Sequence, residues 1–418
     1  MITWQMVVRD LLRNRWRSGL SMGGIAVATA ILIWNMAFFD GFFDLMVRGS
    51  TEVDIGHVQI QDRDYVEQPA TIDYFEWDDE IARAVGEVDQ VVAVAPRVHL
   101  FGLIGHEDRS QVGRIMGIDP GAEAQVTVMA EGVRQGRWLS EEVDPEGVAE
   151  VVLGHGLAQS LGVGVGDELV VIAEGVDGSM GDGLLEVVGV VRTGNSRIDR
   201  QAALLHLEEA QFIAAMEGAV HEAVVRVRNP AQAPMVAAVV QSRLDGEGLD
   251  ELVARPWQQV EPGLYEMLAY GNQMNGVIFG IIFLVVSLGV LNALRMSARE
   301  RMREFGVMLA VGMSRARLFV LVCAEGFILG VVGALLGGLV GGAITYYHTT
   351  RGIDFSPFLE GEGTWMGVSF TERIYFVMDA GTVLMPVVGL IAVTTVCAIW
   401  PAIASVRLNP RDAISGRT

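Results

Sequence analysis

Four long apolar runs set the pattern of this chain, at roughly residues 18–39, 274–294, 318–346 and 382–404. Each is long enough to cross about 30 Å of hydrocarbon as a helix. The second contains no charged residue at all. Between the first and second runs the period changes. Short β-rich stretches at 57–61, 91–94, 98–104, 111–118, 151–153, 168–173, 185–191 and 223–228 alternate with helical patterns at 78–85, 155–161, 207–216 and 231–244. The fold class expected is therefore a membrane α-helical protein with four transmembrane helices and a large α/β domain between helices 1 and 2. The strand–helix–strand order near 151–173 and 185–244 predicts ferredoxin-like units there.

Charge gives this layout a direction. The flanks of the runs hold Arg9, Arg13, Arg15, Arg17, Arg295, Arg299, Arg301, Arg303, Arg315, Arg317, Arg407, Arg411 and Arg417 against Asp10, Glu300, Glu304 and Asp412. That is 13 arginines against 4 acids, a net +9, so the rest of this −21 chain carries −30. Basic flanks stay in the cytoplasm. The acidic domain is then extracytoplasmic, as is the loop 347–381, and both termini are cytoplasmic.

The expected order is a cytoplasmic amphipathic helix at 1–17, spans at 18–43, 273–295, 318–346 and 382–404, the extracytoplasmic domain at 44–272, a cytoplasmic coupling segment at 296–317, and a tail at 405–418. In the first piece Trp4, Val7, Val8, Leu11 and Leu12 share one face, which suits the membrane interface. The first span is read as an uncleaved anchor, because Phe38, Phe39, Phe42 and Phe43 stand where a signal peptide would carry small residues.

Composition narrows the chemistry. The chain is 51% hydrophobic over 418 residues, with a mean hydropathy of +0.38. All 30 basic residues are arginine. A phosphate-binding loop of the Walker type needs a lysine on the phosphates, so ATP and its magnesium are expected on another chain, and no cofactor on this one. Cys323 and Cys397 lie in apolar runs and indicate neither a disulfide framework nor a zinc site. The seven histidines show no paired ligand spacing, so no metal site and no catalytic residue is expected. Gly162, Gly164 and Gly166 follow a helix and precede a strand, the reverse of a nucleotide fingerprint, and are read as a tight turn.

The informative features are mechanical. The stretch 262–311 carries only weak helix breakers and predicts one continuous stalk of about 50 residues, roughly 75 Å if straight. At its end, Arg299, Glu300, Arg301, Arg303 and Glu304 are followed by Phe305, Gly306, Met308, Leu309 and Gly312. Phe305, Met308 and Leu309 are expected to offer an apolar face with a charged rim, as docking to a partner requires. Gly333, Gly337 and Gly341 repeat every four residues, with Gly326, Gly330, Gly338 and Gly342 on a neighbouring track and Gly276 and Gly280 in the second span. Such ridges let helices approach closely, within the subunit or across a dimer. Glu325 is the one acid well inside a span, so it must be protonated, paired or facing a polar interface; with no other ionisable residue expected at its depth, a structural hydrogen bond is favoured over a proton relay.

Residues 297–312 carry a family resemblance. Glu300-Arg301-x-Arg303-Glu304-Phe305-Gly306 and Ala310-Val311-Gly312 resemble the ERxREhGhhhAhG stretch of the FtsX-like permeases, which include the MacB and LolC/LolE membrane subunits. Glu325-Gly326, Pro401-Ala402 and the run from Leu408 to Ile414 are similar to that family's later motifs. Gly56-His57-Val58-Gln59-Ile60 is more similar to the lipoprotein-release branch. The resemblance implies an inner-membrane ABC transporter permease, working as a homo- or heterodimer with a second permease subunit on cytoplasmic ATPase subunits. Membrane lipids and a periplasmic lipoprotein carrier are further partners implied, and nucleic acid is not. Two functions stay open: mechanotransmission for lipoprotein release or export of another amphiphile, and FtsX-like signalling to an extracytoplasmic hydrolase.

Overall fold

The computed structural model describes residues 15–64, 73–142, 147–354 and 373–407, with two short strands at 364–365 and 368–369. The expected N-terminal amphipathic helix and the tail motif beyond residue 407 lie outside the described residues. In chain order the main elements are α1 (Arg15–Ser50), a π-helical turn (Thr51–Ile55), β1 (Val58–Asp62), β2 (Phe75–Glu76), α2 (Asp79–Gly86), β3 (Val91–His106), β4 (Arg109–Ile118) and α3 (Pro120–Val126). Next come β5 (Val133–Gly136), β6 (Ala149–Gly154), α4 (His155–Leu161), β7 (Glu168–Glu174), β8 (Met180–Val191), α5 (Ser196–Gln201), β9 (Ala202–His206) and α6 (Leu207–Ala214). The chain continues through β10 (Ala219–Val220), β11 (Glu222–Val227), α7 (Ala233–Gly246), β12 (Leu252–Pro256), α8 (Trp257–Val260), α9 (Pro262–Glu300), α10 (Met302–Ala310), α11 (Arg315–Arg351) and α12 (Ala380–Val406).

The chain divides into two compact units. The helical unit comprises residues 1–44, 269–353 and 373–418. Its four long helices are apolar enough to span a membrane. Helix α11 is the hub, because its glycines remove side-chain bulk on two faces. A Cβ at Gly333 would fall 2.8 Å from Ile25 Cβ, at Gly337 2.6 Å from Thr29 Cβ, and at Gly341 2.6 Å from Ala30 Cα. Gly326 and Gly330 face Ala398 and Thr394 of α12 in the same way. Close backbone approach of this kind holds helices together where hydrophobicity cannot drive association. Gly276 and Gly280 differ: a Cβ there would meet nothing within 4 Å. Of the two uses expected for them, contact within the subunit is therefore not made at Gly276 and Gly280, both of which are exposed.

The stretch 262–311 is not one helix. Helix α9 stops at Glu300, and Arg301 takes φ −100°, ψ 8° before α10 begins. Arg301 leaves helical geometry while its side chain turns inward. At the far end of α10, Gly312 adopts φ +103°. Its N–H bonds the Leu309 carbonyl at 3.1 Å, and the Met313 N–H bonds the Met308 carbonyl at 2.9 Å. These are the paired bonds of a Schellman cap, whose left-handed position favours glycine. Ser314 then caps α11.

The α/β unit spans 45–268 and 354–372. Ladder pairing runs β12–β1–β11–β3, with every contact antiparallel. Helix α2 connects β1 to β3, and α7 connects β11 to β12. This is the split βαβ arrangement of a ferredoxin-like unit. The unit exists, but not at 151–173 and 185–244, where the sequence reading put it. Its two βαβ halves come from the ends of the domain, with more than 100 residues between them, and local strand–helix order cannot reveal such an insertion.

The inserted strands form a second body. β3 continues past Arg97 to pair with β4 on one edge and β7 on the other. β4 pairs with β9, β9 with β6, β6 with β8, and β8 with β7, which closes a six-stranded ring. The alternation of buried and exposed positions along β7 is that of a strand with one face inward. Gly162 and Gly166 are left-handed turn positions between α4 and β7, as a tight turn requires.

Candidate functional sites: a coupling segment and a buried ion network

In the helical unit the segment after α9 is organised by one arginine. Arg301 Nη1 lies 3.0 Å from Glu325 Oε2, and its Nε lies 3.3 Å from Glu304 Oε2. Ser297 Oγ donates to Glu325 Oε1 at 3.2 Å. The Arg301 guanidinium also sits over the Phe305 ring, 5.1 Å from its centroid. The Arg301 and Glu325 side chains are 6% and 13% exposed. The expectation that Glu325 has no ionisable partner at its depth is therefore corrected. The partner is four residues beyond the Ser297 turn, and it reaches Glu325 because the chain bends at residue 301.

Helix α10 has two faces. Phe305 is buried, and Met308 and Leu309 pack against the helical core. They are not the exposed face that the sequence suggested. The outward stripe is Arg303, Glu304, Val307, Ala310 and Val311, at helical spacing, with Glu300 exposed just before the bend. Val307 and Val311 are 51% and 84% exposed. Arg299 and Gly312 are also exposed, and Gly306 is buried. Arg299, Glu300, Arg303 and Glu304 are exposed as a charged rim requires, but Arg301, expected there with them, is buried, and the exposed apolar residues beside them are two valines, not the larger side chains. Nearby, Arg295 lies 4.8 Å from the Trp400 ring centroid, linking α9 to α12.

In the α/β unit the notable feature is an ion network that no sequence motif announces. Arg97 sits at the residue of β3 that pairs with both β11 and β4. Its guanidinium contacts Glu123 at 2.7 and 2.9 Å, Glu222 at 3.4 Å, and the Asp54 carbonyl. Glu123 also accepts from Thr127 Oγ1 at 2.7 Å. His99 Nε2 lies 2.8 Å from Glu222 Oε1. Arg114 Nη1 lies 3.1 Å from Asp54 Oδ1, and Arg197 Nε lies 3.3 Å from Asp54 Oδ2. Arg197 Nη1 also pairs with Glu261.

Burial and charge compete in this network. Burial pushes Asp54 upward, but Arg114, Arg197 and Arg97 outweigh it and hold the carboxylate below its usual range. Burial likewise works upward on Glu222, and His99, Arg97 and Arg114 more than reverse it. Burial dominates for His99, which stays below its ordinary value despite Glu222. At His57, burial and then Arg226 lower the imidazole to about 4. The Val227 N–H donates to His57 Nδ1 at 3.0 Å, as the neutral ring allows. Among the described residues no group of three or more His, Cys, Asp or Glu could hold a metal ion.

Four apolar helices with an α/β domain inserted between the first two, and a bent helical segment between the second and third, define a multi-pass membrane permease. A sequence profile for the MacB-like periplasmic core domain matches residues 18–243, and one for the FtsX-like permease C-terminal domain matches residues 276–410. The chain belongs to this family of FtsX-like ABC transporter permeases with a MacB-like periplasmic core domain. It is 24% identical to the lipoprotein-releasing system transmembrane protein LolC of Xylella fastidiosa, over 97% of this chain and 96% of that protein. It is 21% identical to the LolE protein of Haemophilus influenzae, over 94% and 92%. The crystal structure of the periplasmic region of MacB from Actinobacillus actinomycetemcomitans aligns with a TM-score of 0.38 and 13% identity, over 52% of this chain and 95% of that one.

Proposed function

We propose that this chain is the permease subunit of a lipoprotein-releasing transporter, in which a separate cytoplasmic ATPase moves the extracytoplasmic domain by mechanotransmission. The observation that carries the reading is alignment from end to end with the lipoprotein-releasing LolC and LolE proteins. The lack of lysine supports an ATPase on another chain, with ATP and magnesium held there. The outward stripe of α10 supplies a docking face of modest apolar area with charge on its rim. The basic flanks support a cytoplasmic position for that face and for both termini. A second permease subunit, a copy or a relative, completes the transporter.

Two measurements test this. Affinity purification of the tagged chain from its own membranes is expected to bring down a small ATPase, and its absence would remove the transporter reading. Depletion of the chain is expected to leave lipoproteins in the inner membrane. Correct sorting in depleted cells would point instead to export of another amphiphile or to signalling.

A further inference from the structure

Two helix roots enter the α/β unit far apart in sequence. One is the end of α1 with its π turn, residues 49–55. The other is Glu261, immediately before α9. Both are gripped by the short segment 193–201, and a single side chain, Arg197, reaches both.

The segment is built stiffly. Asp199 accepts from Thr193 N at 2.7 Å, Thr193 Oγ1 at 2.9 Å and Gly194 N at 3.0 Å. Asn195 caps α5 by accepting from Arg197 N at 3.0 Å, while its own amide donates to the Gly49 carbonyl of α1 at 3.0 Å. Arg197 then places Nε 3.3 Å from Asp54 Oδ2 and pairs Nη1 with Glu261. Asp54 is in turn held from inside by Arg114 and Arg97.

We infer that Arg197 is a positioning residue that ties the roots of α1 and α9 into one rigid base, so that a displacement carried along either helix is delivered to the domain by both. This rests on the mechanotransmission reading above. The guanidinium fork suits the task, because it bonds two carboxylates along separate N–H directions, which a lysine cannot reproduce. The side chain is 45% exposed. Ion pairs with that much solvent access add little to folding stability, so the strap serves geometry more than stability. The Asp54 side chain, by contrast, is 2% exposed and belongs to the folded core.

The test uses the full chain in lipid nanodiscs with its copurified ATPase, read by hydrogen–deuterium exchange with and without vanadate trapping. In the wild type, trapping is expected to change exchange in the coupling segment and in β1, β11 and β12. In Arg197→Ala, and in Glu261→Gln, the coupling-segment change is expected to persist while the strand response falls at least fivefold, with thermal stability unchanged. The double variant is expected to be no worse than either single one, since both break one link. Arg197→Lys is expected to behave like Arg197→Ala. An undiminished strand response in Arg197→Ala would overturn the strap while leaving mechanotransmission standing. No trapping response anywhere in the wild type would overturn mechanotransmission and the strap with it.

Discussion

Arg301 and Glu325 form an ion pair at 3.0 Å that fastens the bend after α9 to the third span. Removing one partner leaves the other charged and largely shut off from water. Arg301→Ala is expected to destabilise the helical unit by about 3 kcal/mol, read as a lower unfolding temperature in detergent. The double variant Arg301→Met/Glu325→Leu is expected to recover most of that loss. A single variant as stable as the wild type would show that the pair contributes nothing.

The outward stripe of α10 predicts where a partner docks. Glu304→Arg and Val307→Asp are each expected to abolish recovery of an ATPase with the tagged chain, while the α/β domain stays folded. Gly306→Arg is expected to lose the ATPase as well, but through local unfolding, because Gly306 is buried. Normal ATPase recovery with both Glu304→Arg and Val307→Asp would place the docking surface elsewhere.

Crossing of α1 and α11 at glycine predicts intolerance of bulk. At Gly337 an added side chain meets the Ala26 backbone and Thr29, neither of which can swing away. Gly337→Val is expected to cost about 2 kcal/mol or more by overpacking, seen as reduced protein in membranes and early thermal unfolding. Gly276→Val is expected to be silent in the isolated subunit. A loss confined to subunit pairing would assign Gly276 and Gly280 to a contact between permeases.

His57 predicts a pH dependence with a definite sign. Its folded value is lowered from 6.5 to about 4. Below pH 6.5 the unfolded chain takes up a proton that the folded chain refuses, so stability is lost as pH falls from about 6.5 to about 4, by up to roughly 3 kcal/mol. Asp54 and Glu222, whose values are depressed, lose their contribution only at still lower pH. His57→Asn is expected to flatten the slope between pH 6.5 and 4 in thermal unfolding of the full chain. An unchanged slope would assign the dependence to other groups.

The spans were legible because a run of some 20 apolar residues has few other stable fates. The strands at 168–173 and 185–191 were legible from alternation. The ion network was not. Asp54, Arg97, Arg114, Glu123 and Glu222 are scattered over 169 positions, and charged residues in an acidic domain read as solvent-facing until the strands are paired. The bend at Arg301 was hidden for a related reason. Helix propensity sees an arginine that favours continuation, whereas the ion pair with Glu325 holds its backbone out of helical geometry. Phe305, Met308 and Leu309 were assigned to the wrong face of α10 because periodicity fixes which residues share a face, not which face meets the core.

The pairing of β1 with β12 brings the domain's entry and exit side by side, with Val58 opposite Pro256 and the Trp257 N–H bonded to the His57 carbonyl. Strands β4, β9, β6, β8 and β7 close their hydrogen-bonded ring through the far half of β3, and Arg114, Glu123 and Arg197 tie the inserted segment back to Asp54, Arg97 and Glu261. Away from those three anchors the sequence of the ring can drift or lengthen without disturbing the strands that pair at the domain's entry and exit.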